Sequence, residues 1–169
     1  MFRALPRPGA VTRSAKGRPG GYAEIGNTGY ERDHDFVTAS ERAVQLVRLA
    51  AQAGADKLAD DIIAYDVSEQ LVITDAFLLC SGTNDRQVQA IVEEVENRLR
   101  EEGGAKPVRR EGQREGRWIL LDYIDVIVHV QHEEERAFYA LERLWKDCPP
   151  VELPEDINAH MAQRARGTA

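Results

Sequence analysis

Two histidines near the end of an apolar stretch are the residues whose types and spacing most suggest metal chemistry. His129 and His132 have the spacing H-x-x-H, and three glutamates follow at positions 133–135. A metal site needs imidazole and carboxylate lone pairs that converge on one point. The stretch has the composition of a strand, and side chains three positions apart in a strand point to opposite faces of the sheet. We therefore predict structural roles for both histidines and no metal site.

Two aspartates and one loop are the remaining candidates for enzyme chemistry. Asp122 and Asp125 could act as a carboxylate pair only if the chain turns at Ile124, because strand alternation otherwise separates them. The segment CSGTNDRQV, residues 80–88, resembles a phosphate-binding loop between a strand and a helix N-terminus. It has one glycine and no following lysine, and Asp85 would repel an anion. A nucleotide-binding or nucleotidyltransferase-like enzyme is therefore the alternative function rather than the main one, and no cofactor is implied.

The segment RWILLDY, residues 117–123, has the residue types of a protein-binding strand. Strand alternation separates its side chains by face, with Trp118, Leu120 and Asp122 on one side and Ile119, Leu121 and Tyr123 on the other. Both sets are large, so either helices cover both faces of the sheet or one face contacts a partner. Exposed aromatic and aliphatic side chains beside acidic groups are typical of protein-binding hot spots. Burial of both faces is the alternative interpretation.

Two long segments have the apolar periodicity and end signals of helices. Residues 38–54 begin with Thr38 and Glu41, which have the spacing of a capping box. Residues 84–104 begin with Asn84, a favourable N-cap, and continue with an unbroken apolar stripe. The stripe predicts that this second helix packs against the sheet.

A third helix is predicted over residues 133–147, before the sequence CPP stops it. Its predicted inward-facing residues are Phe138, Leu141, Leu144 and Trp145. The C-terminal tail, residues 150–169, has the composition of at most one further helical turn and little apolar surface to bury.

Four short segments rich in β-branched and aromatic residues predict strands at 61–67, 73–82, 117–123 and 125–131, and KPVRREG at 106–112 predicts a short edge strand. The order α-β-β-α-β-β-β-α predicts one α/β domain over residues 37–149, with a mixed five-stranded sheet flanked by helices. Residues 1–36 are rich in glycine, proline, arginine and serine without apolar periodicity. This composition predicts a disordered basic extension, or a natural start of translation near Val37.

Charge is distributed unevenly along the 169 residues. The chain has a net charge of −7, and residues 37–169 hold 16 of the 22 basic and 25 of the 29 acidic residues, a net charge of −9. Such a surface repels phosphate backbones, so it favours a basic protein partner over direct readout of nucleic acid. Solubility alone is the alternative explanation. Two cysteines, the absence of a signal-peptide pattern and the absence of an apolar run of about 20 residues indicate a cytoplasmic protein that does not span a membrane.

Several motifs occur in order between residues 61 and 147: DIIAYDV, TDAFLLCSGTNDRQVQAI, the dipeptide EG at 111–112, WILLDYIDVIVHV and ERAFYALERLW. Together they resemble the ribosomal silencing factor family, also called Iojap-like. The resemblance implies a nucleotidyltransferase-like fold without catalytic residues, and a protein that is not an enzyme. It also implies a translational repressor that binds the large ribosomal subunit through ribosomal protein L-fourteen and sterically blocks association with the small subunit.

Position by position, the resemblance implies partner contacts at Trp118, Ile119, Leu120, Asp122 and Tyr123, and characteristic family positions at Asp75 and Arg86. The role of the last two is either structural or at the interface. The family commonly has glycine where this chain has Ile124. Because glycine accepts a positive φ and isoleucine does not, we expect the turn at this position to differ from that of the family. A homodimer formed through the same aromatic strand is a third interpretation.

Overall fold

The computed structural model describes residues 38–167. The predicted basic extension, residues 1–36, lies outside the described residues. The elements are α1 (Glu41–Asp56), β1 (Asp60–Asp66), β2 (Ala76–Gly82), α2 (Asp85–Glu101), β3 (Arg109–Glu111), β4 (Trp118–Asp122), β5 (Val126–His132), α3 (Glu133–Tyr139), α4 (Glu142–Trp145) and α5 (Glu155–Gly167). The predicted class is confirmed, since this is a single α/β domain with one mixed sheet.

The five strands form one sheet in the order β1-β2-β5-β4-β3. Strands β2 and β5 are parallel, and the other three neighbouring pairs are antiparallel. Every residue of β2 is buried, as expected for an interior strand whose two faces are both covered. The short strand β3 is an edge, as predicted.

Helices α1 and α2 cover one face of the sheet, which we call the helix-covered face. The apolar stripe of α2 is buried as its spacing predicts, at Val88, Ile91, Val92, Val95 and Leu99. Burying one such side chain contributes about 1.5–3 kcal/mol, so this stripe is a main source of stability. The Asn84 side chain accepts the Gln87 N–H at 2.9 Å, which confirms the predicted cap.

The start of α1 differs from the prediction. The cap is Ser40, whose Oγ accepts the Ala43 N–H at 3.2 Å, and Thr38 lies two residues too early to serve. The carboxylates of Asp66 and Asp75 accept the N–H groups of Ala39 and Ser40 at 2.8 and 3.0 Å. The entry into α1 is therefore fixed by two side chains from the β1–β2 region, and no local sequence pattern shows that contact.

The predicted third helix is broken into α3 and α4, and its predicted inward face is partly wrong. Ala140 has a left-handed backbone with φ of 44°, which ends α3. The break changes the helical phase, so Leu141 is buried and Trp145 is partly buried against the sheet. Phe138 and Leu144 are instead 81% and 66% exposed.

The C-terminal tail was predicted to add at most one helical turn and to bury little. Both predictions are wrong, since α5 is a helix of 13 residues. Val151, Leu153 and Ile157 belong to the main core cluster, with Ile157 fully buried. The Val151 N–H donates to the Ala64 carbonyl at 2.9 Å, so the segment begins as an extended chain beside β1. Apolar residues at 151, 153 and 157 match neither strand nor helix spacing throughout, which is why the sequence pattern did not reveal their burial.

Candidate partner-binding surface

Strand β4 presents the predicted alternation of side chains. Ile119 and Leu121 are fully buried on the helix-covered face, whereas Trp118, Leu120 and Asp122 are half-buried on the opposite one. Tyr123 follows Leu121 into the main core and is 5% exposed. Two of the predicted partner residues, Ile119 and Tyr123, therefore present almost no surface to a partner and serve the packing of the strand.

The opposite face of the sheet is covered on one half only. Under α3, α4 and the segment that follows, a second apolar cluster forms around Tyr65, Phe77, Leu79, Leu141 and Cys148. Over β5 and β4 this cover is partial, with Trp118 and Ile127 packed against the edge of the cluster. We call the half-buried residues there the β4 surface: Trp118, Leu120, Asp122 and Ile127, the last of which lies opposite Asp122 in the β4–β5 register.

His129 and Tyr139 help to hold Trp118 in place. Its indole Nε1 donates to Nδ1 of His129 at 3.1 Å. The ring of Tyr139 lies against it with centroids 4.8 Å apart. The indole is thus anchored on one side and partly exposed on the other, an arrangement that lowers the entropy lost when a partner contacts it.

His129 is a buried residue whose contact with Trp118 the sequence did not reveal. It is almost fully buried, and burial, reinforced by the positive charge of Arg136, lowers its pKa from 6.5 to about 4. The imidazole is therefore neutral at physiological pH, and its Nδ1 is free to accept the indole proton. Strand alternation does place His129 on the same face as Trp118, but their contact depends on a cross-strand register that the sequence alone does not give.

The two histidines have separate partners. Nδ1 of His132 accepts the Glu134 N–H at 3.2 Å and caps α3, while His129 accepts from the indole of Trp118. Residues 38–167 contain no group of three or more His, Cys, Asp or Glu side chains placed to hold a metal ion.

Asp122 is engaged on both sides of its carboxylate. One oxygen accepts the Ile124 N–H at 2.8 Å, and the other lies 3.3 Å from the Arg109 guanidinium. The first contact closes the turn between β4 and β5. In that turn Ile124 has φ of 70°, so our expectation that isoleucine would not adopt a positive φ is wrong. The turn therefore holds a strained, 58% exposed isoleucine in the left-handed region.

Asp75 and Arg86 do not join the β4 surface. Asp75 precedes β2 and its carboxylate binds the start of α1, so the structure gives it a positioning role. Arg86 is exposed on the first turn of α2, beyond the other end of β2. A seven-residue strand separates them by about 20 Å.

The polar groups of the loop after β2 form hydrogen bonds with one another and with the start of α2. The Thr83 N–H donates to Oε1 of Gln87 at 2.8 Å, and Asn84 caps α2. A Cβ at Gly82 would lie 3.2 Å from the Val88 nitrogen, so this glycine allows α2 to pack closely on β2. These contacts explain the loop sequence by packing and capping, without a phosphate ligand.

Comparison with known proteins decides the family. The family model described as "RsfS: Ribosomal silencing factor during starvation" matches residues 40–169. The chain belongs to the ribosomal silencing factor family. The resemblance drawn from the motifs is confirmed.

Individual ribosomal silencing factors match most of the domain. The ribosomal silencing factor RsfS of Bacillus subtilis (strain 168) is 42% identical over 113 residues, 67% of this chain and 95% of the relative. That of Halalkalibacterium halodurans is 44% identical over 109 residues, 64% of this chain and 92% of the relative. A crystal structure of a Chromobacterium violaceum protein has a TM-score of 0.58 and 34% identity, covering 60% of this chain and 84% of the other.

Membership places the protein among ribosome-associated silencers of translation, a regulatory class. Among its described helices, none is both long and apolar enough to cross a membrane.

Proposed function

We propose that this protein represses translation in the cytoplasm by binding the large ribosomal subunit through ribosomal protein L-fourteen and blocking association with the small subunit. The observation that supports this most is the half-covered sheet face in a ribosomal silencing factor. There, Trp118 and Leu120 form an apolar centre beside the carboxylate of Asp122. An apolar centre with a polar rim is the usual anatomy of a protein-binding site.

Trp118 is the proposed anchor of the interface. Tryptophan is among the residues most often found at binding hot spots, and truncating such a residue typically costs at least about 2 kcal/mol of binding free energy. His129 and Tyr139 already fix the indole in the free protein. Leu120 extends the apolar contact, and Asp122 supplies a negative charge for a basic partner.

Charge supports the same partner class. Residues 37–169 carry a net charge of −9, and ribosomal proteins are generally basic. Attraction between opposite charges accelerates the encounter of two proteins. This attraction weakens as salt is added, because the Debye length is only about 8 Å at physiological ionic strength. The repression itself is steric, because the bound domain occupies space that the small subunit requires, and it needs no catalytic group.

A subunit-joining assay on sucrose gradients tests the proposal. We expect the purified protein to lower the fraction of joined ribosomes and to sediment with large subunits. Trp118→Ala should remain folded by circular dichroism but bind large subunits at least about 30-fold more weakly, the equivalent of 2 kcal/mol. A folded Trp118→Ala protein that binds with wild-type affinity would show that the assigned surface is wrong.

Self-association is a second candidate use of this side of the molecule. Phe138 and Leu144 on α3 and α4 are 81% and 66% exposed, and Tyr139 joins Phe138 to Trp118. Light scattering with and without large subunits distinguishes the two uses. A dimer that dissociates on subunit binding would indicate overlapping surfaces.

A further inference from the structure

One local region has the opposite charge to the rest of the domain. Residues 104–117 contain five basic and two acidic residues, within a domain and tail that carry −9. The structure places part of this stretch against the C-terminal half of α2, around a groove of about 560 Å³. We call it the β3 groove, and its charged lining residues are Arg100, Lys106, Arg109, Arg110 and Glu96.

Arg100, Lys106 and Arg109 of the β3 groove are accessible and have weak ion pairs or none, whereas Arg110 pairs with Glu96 at 2.5 Å. Arg109 lies 3.3 Å from both Glu111 and Asp122, and Arg100 lies 3.7 Å from Glu101. The Arg109 and Arg100 side chains are 60% and 52% exposed. Ion pairs at such exposure contribute little to stability, so a multiply charged anion can replace them at small cost. Within residues 38–167, Lys106 has no ion-pair partner.

The β3 groove is continuous with the β4 surface. Arg109 on β3 is paired with Asp122 on β4, both by strand register and by their ion pair. An acidic, aromatic surface and a basic groove therefore meet at one contact. Since exposed charges are screened beyond about 8 Å, the excess of basic residues in 104–117 acts separately from the acidic charge of the whole domain.

We propose that the β3 groove binds phosphate groups of ribosomal RNA while the β4 surface contacts the protein partner. This rests on the proposed binding to the large subunit. A basic ribosomal protein embedded in RNA offers both signs of charge side by side, and the adjoining β4 surface and β3 groove match that pattern. Three of the four cations are arginines, whose planar guanidinium groups suit paired hydrogen bonds to phosphate.

The groove positions the protein and does not read sequence. Contacts to phosphate oxygens fix register and orientation but distinguish no bases. They do add a salt-dependent contribution to affinity, because each neutralised phosphate releases condensed counterions. On binding, Arg109 turns to a phosphate and leaves Asp122 available to a basic group of the protein partner.

Affinity for purified large subunits, measured across a series of KCl concentrations, tests this proposal. Arg100→Gln with Lys106→Gln removes two groove cations and leaves the β4 surface intact. The slope of log affinity against log salt should become shallower by about 1.5, since each phosphate contact contributes about 0.7–0.9. The matched control, Lys57→Gln with Arg166→Gln, removes two exposed cations near β1, at the opposite edge of the sheet. Its slope should equal that of the wild type.

Crosslinking identifies what occupies the groove. A photoreactive amino acid placed at position 106 should crosslink to ribosomal RNA on the large subunit. Crosslinks to protein alone, or a wild-type salt slope for the folded groove variant, overturn the RNA proposal while leaving subunit binding intact. Absence of wild-type binding to large subunits overturns both proposals. Wild-type binding by Trp118→Ala together with a shallower slope for the groove variant overturns only the β4 assignment.

Discussion

The two faces of the sheet differ in how completely helices cover them. On the helix-covered face, α1 and α2 bury every inward side chain of β4, including Ile119 and Leu121. On the opposite face, α3, α4 and the segment after them cover β1 and β2 and reach β4 through Tyr139, which leaves Trp118, Leu120 and Asp122 half-buried. Successive residues of β4 thus belong alternately to the core and to the surface. Substitutions at neighbouring positions of this five-residue strand should therefore affect either folding stability or partner binding, but not both.

The largest expected effect separates Leu121 from its neighbour Leu120. Leu121→Ala empties a fully buried site and should lower the free energy of unfolding by about 2–5 kcal/mol, whereas Leu120→Ala should cost about 1 kcal/mol or less. Urea unfolding measures both. Leu120→Ala should weaken binding to large subunits, while Leu121→Ala protein that is still folded should bind normally. Equal destabilisation by the two variants would remove the distinction between the faces.

The next largest effect concerns His129, which lies beneath Trp118 of the β4 surface. Its pKa in the folded state is about 4, below the 6.5 expected when unfolded, so the unfolded chain binds more protons between these values. The stability that comes from burying a neutral His129 imidazole is therefore fully present above pH 6.5. As the pH falls toward 4, the free energy of unfolding drops by up to about 3 kcal/mol. Urea unfolding at pH 7.5 and 4.5 should show a steeper loss for the wild type than for His129→Gln. Parallel pH profiles would argue against a buried neutral imidazole.

The smallest effect concerns the turn that ends β4. Ile124→Gly relieves a positive φ in an exposed residue and should raise the free energy of unfolding by about 0.5–1 kcal/mol, after the greater flexibility of unfolded glycine is included. Ile73 is 78% exposed and lacks a positive φ, so Ile73→Gly should not stabilise. Thermal unfolding compares the two variants. Stabilisation by both would point to loss of exposed apolar surface rather than to relief of backbone strain.

The sequence predicted the regular parts of the fold well. The α2 stripe, the Asn84 cap and the alternation of β4 each follow from a short-range period, and the structure reproduces them. Such features depend on neighbours within one element, so a single sequence contains the necessary information.

The features that the sequence missed depend on contacts between distant segments. The left-handed residue Ala140 interrupts a helical pattern that is otherwise continuous, and the burial of Ile157 depends on a tail that returns to the main core. The candidate surface was predicted from the family motifs, but which of its residues are exposed was not. Ile119 and Tyr123 show that membership in a motif does not establish access to a partner.

The return of the tail to the core has a consequence for how the protein is made. Ile157 completes the core, and Arg164 is hydrogen-bonded to Asp60, 104 positions earlier in the chain. During synthesis the sheet and α1 therefore keep apolar surface uncovered until the segment around Ile157 has left the exit tunnel. A member of a family associated with ribosomes thus completes its own core only after residues 151–157 have emerged from the ribosome that makes it.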